Sequence, residues 1–172
     1  MQNEAQSIPV EIKITLIEKL ADAGLPVIES GAFVSPKWVP QMAASGEVFE
    51  GIQKRANVAY QMLVPNMKGL EGALEAGVEE IAVFSSVSET FSQKNTNCSI
   101  EESIERLRQV VEKAKAENLR IRGYISCALG CPYEGEVSLD TVAEVAARLL
   151  DQGCYEISLG DTIGVGTPSK AQ

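Results

Sequence analysis

The sequence predicts an α/β fold, specifically a partial TIM-type (β/α) barrel of about five parallel strands with crossover helices. Amphipathic helical stretches alternate with short apolar runs along the 172 residues, which is the order expected when helices connect parallel strands. The order begins with a helix that has no strand before it. A complete barrel has eight strands in about 250 residues. We therefore expect a single partial barrel domain over residues 1–172.

The first part of the chain is predicted to hold two helix and strand pairs. Apolar residues recur at helical spacing over residues 9–23, which predicts an amphipathic helix. The β-branched centre of residues 25–30 predicts the first strand. A second helix around residues 47–55 and a second strand over residues 58–64 follow.

Helix-capping residues mark the elements in the middle of the chain. Asn66 can cap a third helix, which precedes an apolar strand at residues 81–84. Ser99 and Glu102 have the spacing of a capping box, in which each residue satisfies a backbone N–H of the other. This pair predicts a long charged helix that ends near residue 118.

The last part of the chain repeats the same alternation. An apolar run predicts a fourth strand over residues 119–127, and Ser138 opens a helix that Gly153 stops. A fifth strand, within residues 154–162, continues into a glycine-rich loop. The two outer strands of such an arc would be unpaired edges.

Composition limits the classes of partner. Fifteen Lys and Arg residues against 24 Asp and Glu residues give a net charge of −9, so long-range repulsion opposes nucleic acid and anionic membranes. No apolar run approaches the length that spans a bilayer, and the first ten residues lack the order of a secretory signal. We expect a cytoplasmic protein without a nucleic-acid or membrane partner.

Four cysteines leave several possibilities open. Cys98, Cys127, Cys131 and Cys154 could form two disulfides or one tetrathiolate zinc site. Their spacing lacks paired CxxC motifs, and reduced thiols are the simplest interpretation for a chain without an export signal. The sequence contains no histidine, so any chemistry must depend on carboxylates, thiols, hydroxyls or groups from outside the chain.

Polar residues are predicted at the ends of the strands, where parallel α/β folds gather their reactive groups. Glu29 and Asp161 are the candidate acids, as general base, metal-linked partner or substrate orienter. The simpler alternative for each is a helix cap or a loop hydrogen bond. Their shared position after strands favours the functional interpretation.

Five strings of the sequence resemble 3-hydroxy-3-methylglutaryl-CoA lyases. They are QNE at residues 2–4, FVSPKWVPQM at 33–42, NCSIEES at 97–103, GYISCALGCPYEG at 123–135 and GCYEISLGDTIGVGTP at 153–168. The last two are too long and unusual to match by chance. The resemblance extends over nearly the whole chain.

The resemblance implies a β/α barrel that cleaves an acyl-CoA substrate to acetyl-CoA and acetoacetate with Mg²⁺ or Mn²⁺. It implies that Glu29 and Asp161 are catalytic acids and that the substrate-binding residues are Gln2, Ser99, Tyr124 and Thr162. The family's metal ligands, in an Arg-Asp-Gly run and a His-x-His pair, lie outside these 172 residues. We therefore expect a truncated member that is inactive alone, with no metal ligand of its own.

Two alternatives stay open at this point. A related acyl-CoA-dependent synthase or aldolase would share the barrel and its metal chemistry. A noncatalytic half-barrel would instead pair with a complementary chain or with a second copy, which would bury its open edges.

Overall fold

The computed structural model of the chain describes residues 4–171. In this range, strands alternate with helices and a 3₁₀ turn lies at Pro40–Met42. The elements are α1 (Val10–Asp22), β1 (Val27–Ala32), α2 (Ser45–Gly51), β2 (Ala59–Leu63), α3 (Met67–Glu75), β3 (Glu80–Ser86), α4 (Glu89–Thr96), α5 (Ile100–Ala116), β4 (Arg120–Ser126), α6 (Leu139–Gln152), β5 (Glu156–Leu159) and α7 (Pro168–Ala171).

The strands form one sheet in the order β1-β2-β3-β4-β5, so neighbours in the sheet are neighbours in the sequence. The pairs β1–β2, β2–β3 and β4–β5 are parallel. This topology confirms the prediction of five parallel strands joined by helices. The chain divides into two compact units between Ala82 and Val83.

The first unit has a core of apolar side chains from its helices and its sheet. Ile17 of α1, Ile28 of β1, Phe49 of α2, Met62 of β2 and Leu70 of α3 are all buried. Each lies on the helical or strand face that the hydrophobic pattern assigns to the interior. This packing holds β1 between the first two helices and its neighbouring strand.

The second unit depends on a long amphipathic helix against β4. Ser99 and Glu102 form the expected capping box at the start of α5. Buried Leu107 and Val111 of α5 and buried Ile121 and Ile125 of β4 contribute to the core of this unit. Gly153 ends α6 with a φ of 126°, a backbone conformation that favours glycine.

Two helices were not predicted. The segment that forms α4 is mostly polar and has no clear apolar stripe, so periodicity gives little signal. Its limits are nevertheless marked, because the Ser88 hydroxyl accepts from the Phe91 N–H at 3.1 Å and Asn97 adopts a left-handed φ of 53°. The short helix α7 follows Thr167, whose hydroxyl accepts from the Lys170 N–H.

We expect Gly69→Ala to destabilise the first unit. A Cβ at Gly69 would lie 2.7 Å from the Phe33 carbonyl oxygen, a backbone atom that cannot move cheaply. The overlap should lower the free energy of unfolding by about 1–3 kcal/mol, measured by urea denaturation. Gly46→Ala is the matched control, because its Cβ would meet only Phe33 at 3.9 Å and should gain up to about 1 kcal/mol from helix propensity. Equal effects of the two substitutions would contradict this account.

Candidate active site

Glu29 lies inside β1 rather than after it, because the strand continues to Ala32. A bulge between Glu29 and Gly31 shifts the register against β2 and allows the strand to run past the predicted end. The side chains before and after Glu29, those of Ile28 and Ser30, are buried, whereas Glu29 is exposed. Glu29 therefore projects from the face of β1 opposite to the helices.

A cavity of about 400 Å³ adjoins Glu29 in the first unit. Its polar lining includes Lys13, Ser30, Gln41 and Ser45. Lys13 is buried on the same face of α1 as Ile17 and Ala21. A lysine on the apolar stripe of a helix is unusual, and this spacing was the available sequence signal for a residue that sequence reasoning missed.

Gln41 fixes the segment that leads into the cavity. Its amide nitrogen donates to the carbonyl oxygens of Glu4 at 3.0 Å and Gln6 at 2.5 Å, and its amide oxygen accepts from the Ile8 N–H at 3.1 Å. The Lys13 ammonium donates to the Gln41 carbonyl oxygen. One buried side chain thus holds residues 4–8 beside the cavity. Gln2, a predicted substrate-binding residue, lies outside the described residues.

A row of three polar residues crosses the strands of the first unit. Glu29 pairs in register with Gln61, and Gln61 pairs with Glu80. The Gln61 amide nitrogen donates to the Glu80 carboxylate, and both side chains are buried. A buried carboxylate requires such a donor. Sequence reasoning missed both residues because they lie in or next to apolar strand segments.

Asp161 closes the glycine-rich loop of the second unit. Its carboxylate oxygens accept from the N–H groups of Val165 at 3.0 Å and Gly166 at 2.9 Å. A Cβ at Gly166 would lie 2.8 Å from Asp161 Oδ2, so glycine is needed for this close approach. The loop hydrogen bond considered as an alternative is therefore present. It also holds the carboxylate in one orientation while leaving part of its accepting capacity available.

Thr162 connects this loop to the end of β4. Its hydroxyl oxygen accepts from the Cys127 N–H at 2.7 Å, and the hydroxyl also lies within hydrogen-bonding reach of the Cys127 thiol. The structure therefore brings Asp161, Thr162 and Cys127 together.

Tyr124 belongs to a charged cluster on β4 and β5. Arg122 lies two residues before it on the same face of β4, with its guanidinium nitrogen 3.4 Å from the Tyr124 hydroxyl. Arg122 also forms an ion pair with Glu156 at 2.6 Å, and the two residues are directly paired in register. Sequence reasoning missed Arg122 and Glu156. The alternation of Arg122 with buried residues along β4 was the available signal for that residue.

Ser99 has its hydroxyl engaged at the start of α5. It accepts from the Glu102 N–H at 3.1 Å and contacts the Glu102 carboxylate at 3.3 Å. The first interaction belongs to the capping box, and the two together use the donor and one acceptor site of the hydroxyl. A role for Ser99 in substrate binding stays a prediction.

Within residues 4–171, no group of three or more Cys, Asp or Glu side chains is placed to hold a metal ion. Mg²⁺ and Mn²⁺ prefer several oxygen ligands in an octahedral arrangement. The described residues therefore do not form a complete site for either ion.

The strands are parallel, and acidic and hydroxyl side chains lie within them or directly after them. This arrangement is typical of β/α-barrel enzymes. A model of the HMGL-like family matches residues 1–172. The mitochondrial hydroxymethylglutaryl-CoA lyase of mouse is 60% identical over 168 residues, which cover 98% of this chain and 52% of the mouse protein. The chain belongs to the HMGL-like family.

Solved structures agree with this assignment. The hydroxymethylglutaryl-CoA lyase of Pseudomonas aeruginosa matches with a TM-score of 0.93 at 60% identity, over 96% of this chain and 55% of that one. A lyase from Acinetobacter baumannii, solved with coenzyme A and 3-methylmalate, matches with a TM-score of 0.93 at 33% identity, over 98% of this chain and 55% of that one. These matches confirm the partial barrel. The chain spans about half the length of the relatives it matches.

The expectation of a cytoplasmic protein is wrong in the light of these relatives. The mouse, rat and cattle lyases are mitochondrial by name. The expectation rested on the lack of a membrane-spanning run and of a secretory signal, and neither feature distinguishes the cytoplasm from the mitochondrion. Among the helices of residues 4–171, none combines the length and apolarity needed to cross a membrane.

We expect Gln61→Leu to destabilise the first unit by about 2–3 kcal/mol, because it removes a donor from a buried carboxylate. Replacing both partners, in Gln61→Leu/Glu80→Leu, should restore part of the lost stability, since no buried carboxyl group is then left without its donor. Chemical denaturation measures both. Gln53→Leu, at an exposed position, is the control and should change stability by less than about 0.5 kcal/mol. A double variant that is no more stable than Gln61→Leu alone would contradict the pairing.

Proposed function

We propose that this chain is the part of a 3-hydroxy-3-methylglutaryl-CoA lyase that supplies two acids to the active site, Glu29 and Asp161. The match of residues 1–172 to the HMGL-like family, with 60% identity to the mouse lyase, carries this proposal. The chain covers 52% of the mouse protein. We therefore propose the activity for a whole lyase, to which these residues would contribute.

The proposed reaction is a retro-Claisen cleavage. A proton leaves the tertiary hydroxyl of the substrate, the adjacent carbon–carbon bond breaks to give acetoacetate, and the acetyl-CoA enolate takes up a proton. Carboxylates can accept and return these protons when they lie within hydrogen-bonding reach. In a bound complex, a divalent metal would lower the pKa of the substrate hydroxyl. The described residues do not fit such an ion by themselves, so the proposal gives this chain no metal ligand.

Asp161 and Glu29 differ in their hydrogen bonds and in their surroundings. Asp161 is held by two backbone N–H donors, which suits a group that orients the substrate or accepts its proton from a fixed direction. Glu29 is exposed beside a cavity that Lys13 and Gln41 line. That position suits a group that exchanges protons with substrate or water.

The substrate-binding proposal is strongest for Thr162 and Tyr124. Thr162 adjoins Asp161 and has its hydroxyl held beside Cys127, and the Tyr124 ring lies 5.2 Å from the Arg122 guanidinium. Ser99 and Gln2 complete the proposed set. The Acinetobacter baumannii lyase was solved with coenzyme A, which supports an acyl-CoA as the substrate class.

Assembly with a complementary barrel half is a second candidate role, and the edge strands favour it. On β1, Val27 is 41% exposed, and on β5, Leu159 is 56% exposed. Edge strands with exposed apolar side chains tend to pair with another chain. A second copy or a complementary half would cover them.

Joining this chain to the missing segments of the Pseudomonas aeruginosa lyase should give metal-dependent release of acetoacetate. In that fused protein, Asp161→Asn and Glu29→Ala should lower kcat by about 10²–10⁴-fold. The melting temperature should change little in Glu29→Ala and fall in Asp161→Asn, because the amide nitrogen cannot accept from a loop N–H. Asp140→Asn and Glu79→Ala are matched controls at exposed positions and should retain activity. An enzyme assay with a chelator control measures these outcomes.

The 172-residue polypeptide alone should release no acetoacetate, because the resemblance assigns the metal ligands to other segments. Chelator-sensitive release by this polypeptide would contradict its proposed incompleteness. Full activity of the fused double variant would instead contradict the assignment of the two acids.

The isolated chain should associate as its concentration rises, because its edge strands are open. Static light scattering should show an increasing mean mass, and Leu159→Lys should reduce the increase by placing a charge on β5. Leu139→Lys, which changes an exposed leucine at the start of α6, should have little effect. A constant monomer mass over the whole concentration range would contradict this prediction.

A further inference from the structure

Cys127 and Cys131 form a close pair of thiols that the proposed function does not use. Both are unpaired and buried in the second unit, and their side chains lie within hydrogen-bonding reach of each other. The chain turns back between them, because the Gly130 N–H donates to the Cys127 carbonyl oxygen at 3.2 Å. A short turn that brings two thiols together is a natural position for a disulfide.

The surroundings of Cys131 stabilise a thiolate. Its sulfur lies 2.9 Å from the Ser88 hydroxyl oxygen and accepts from the Tyr133 N–H at 3.4 Å. Burial raises the pKa of the Cys131 thiol, but Ser88 and the backbone N–H groups of Tyr133 and Glu134 outweigh it and lower the pKa overall. A thiolate is the nucleophilic form of cysteine.

The segment after Cys131 holds these donors in place. The backbone groups of Cys131 and Gly135 exchange two hydrogen bonds, at 2.8 and 3.0 Å. The Glu134 carboxylate accepts from the Thr90 N–H at 2.7 Å, two residues after Ser88. The thiolate-stabilising groups thus come from a closed turn and from the start of α4.

The surroundings of Cys127 disfavour a thiolate. Burial is the largest effect on its thiol and raises its pKa. Its backbone adopts a left-handed φ of 64°, and its N–H donates to Thr162, so the position of this residue is fixed at the end of β4. A cysteine whose thiol pKa is lowered, next to one whose thiol pKa is raised, is the arrangement of an attacking and a resolving thiol.

We propose that Cys127 and Cys131 are a reversible dithiol–disulfide pair that a small hydroperoxide, such as hydrogen peroxide, oxidises. The Cys131 thiolate attacks one peroxide oxygen and breaks the O–O bond. The leaving hydroxide takes up a proton to become water, and Cys131 is left as a sulfenic acid. The Cys127 sulfur then attacks the sulfenic sulfur, loses its proton and displaces the oxygen as water.

The two steps balance. Two thiols give up two electrons and two protons, and one hydrogen peroxide molecule becomes two water molecules. Because both sulfurs are buried, oxidation requires local opening of this turn, so we expect it to be slow compared with that of an exposed thiolate. An excess of dithiothreitol should reverse the reaction by thiol–disulfide exchange.

The other two cysteines serve as internal controls. Burial raises the pKa of the Cys154 thiol to about 11, which disfavours its thiolate. Cys98 contacts the Thr96 hydroxyl at 3.2 Å. Both are buried, so burial alone cannot distinguish the reactive pair from these two residues.

The test is to treat the folded chain with a small excess of hydrogen peroxide, unfold it in the presence of an alkylating reagent and map the peptides by mass spectrometry. We expect a Cys127–Cys131 disulfide that dithiothreitol removes, with Cys98 and Cys154 still alkylated. In Cys127→Ser, dimedone should trap a sulfenic acid at Cys131. In Cys131→Ser, Cys127 should remain a thiol.

Four alkylated cysteines after treatment of the folded wild-type chain would overturn the proposal, and so would equal oxidation of all four. The wild-type measurement needs no variant and therefore remains decisive if either serine variant folds poorly. Circular dichroism checks the fold of each variant, and Cys98→Ser should form the disulfide at the wild-type rate.

Discussion

Parallel pairing of consecutive strands determines where the polar groups of this chain can lie. In a parallel pair, residues in register point to the same side of the sheet. Glu29, Gln61 and Glu80 therefore form a row across the first unit, although tens of residues separate them in sequence. Because Glu80 is buried, its carboxylate needs the hydrogen bond that the Gln61 amide donates. Glu29, at the other end of the row, is exposed. The same rule places Arg122 beside Glu156 in the second unit.

Several polar side chains among the candidate residues and their neighbours stabilise the backbone. Gln41 satisfies three backbone groups of residues 4–8, Asp161 satisfies two N–H groups of its loop, and Ser99 caps a helix. Irregular segments need such partners because their backbone groups have no strand or helix to pair with. The two hydrogen bonds that Asp161 accepts from its loop also fix the orientation of its carboxylate. For Asp161, the structural role therefore supports the proposed catalytic role.

The two proposals use different properties of one region of the second unit. The proposed lyase chemistry depends on oxygen atoms at Asp161 and Thr162, whereas the proposed oxidation depends on sulfur atoms at Cys127 and Cys131. The hydrogen bond from Cys127 to Thr162 connects the two groups. Each proposal nevertheless stands on separate observations, the family match in one case and the contacts of the thiol pair in the other.

The sequence by itself determined the order of the strands and most helices, because hydrophobic periodicity and capping residues such as Asn66, Ser99 and Gly153 act over a few neighbouring residues. It also indicated the HMGL-like family through long unbroken strings. Only the tertiary structure decided which polar residues meet. Lys13 with Gln41, Gln61 with Glu80 and Cys131 with Ser88 are 28, 19 and 43 residues apart. Such contacts depend on strand register and on burial, and neither is encoded in a local pattern.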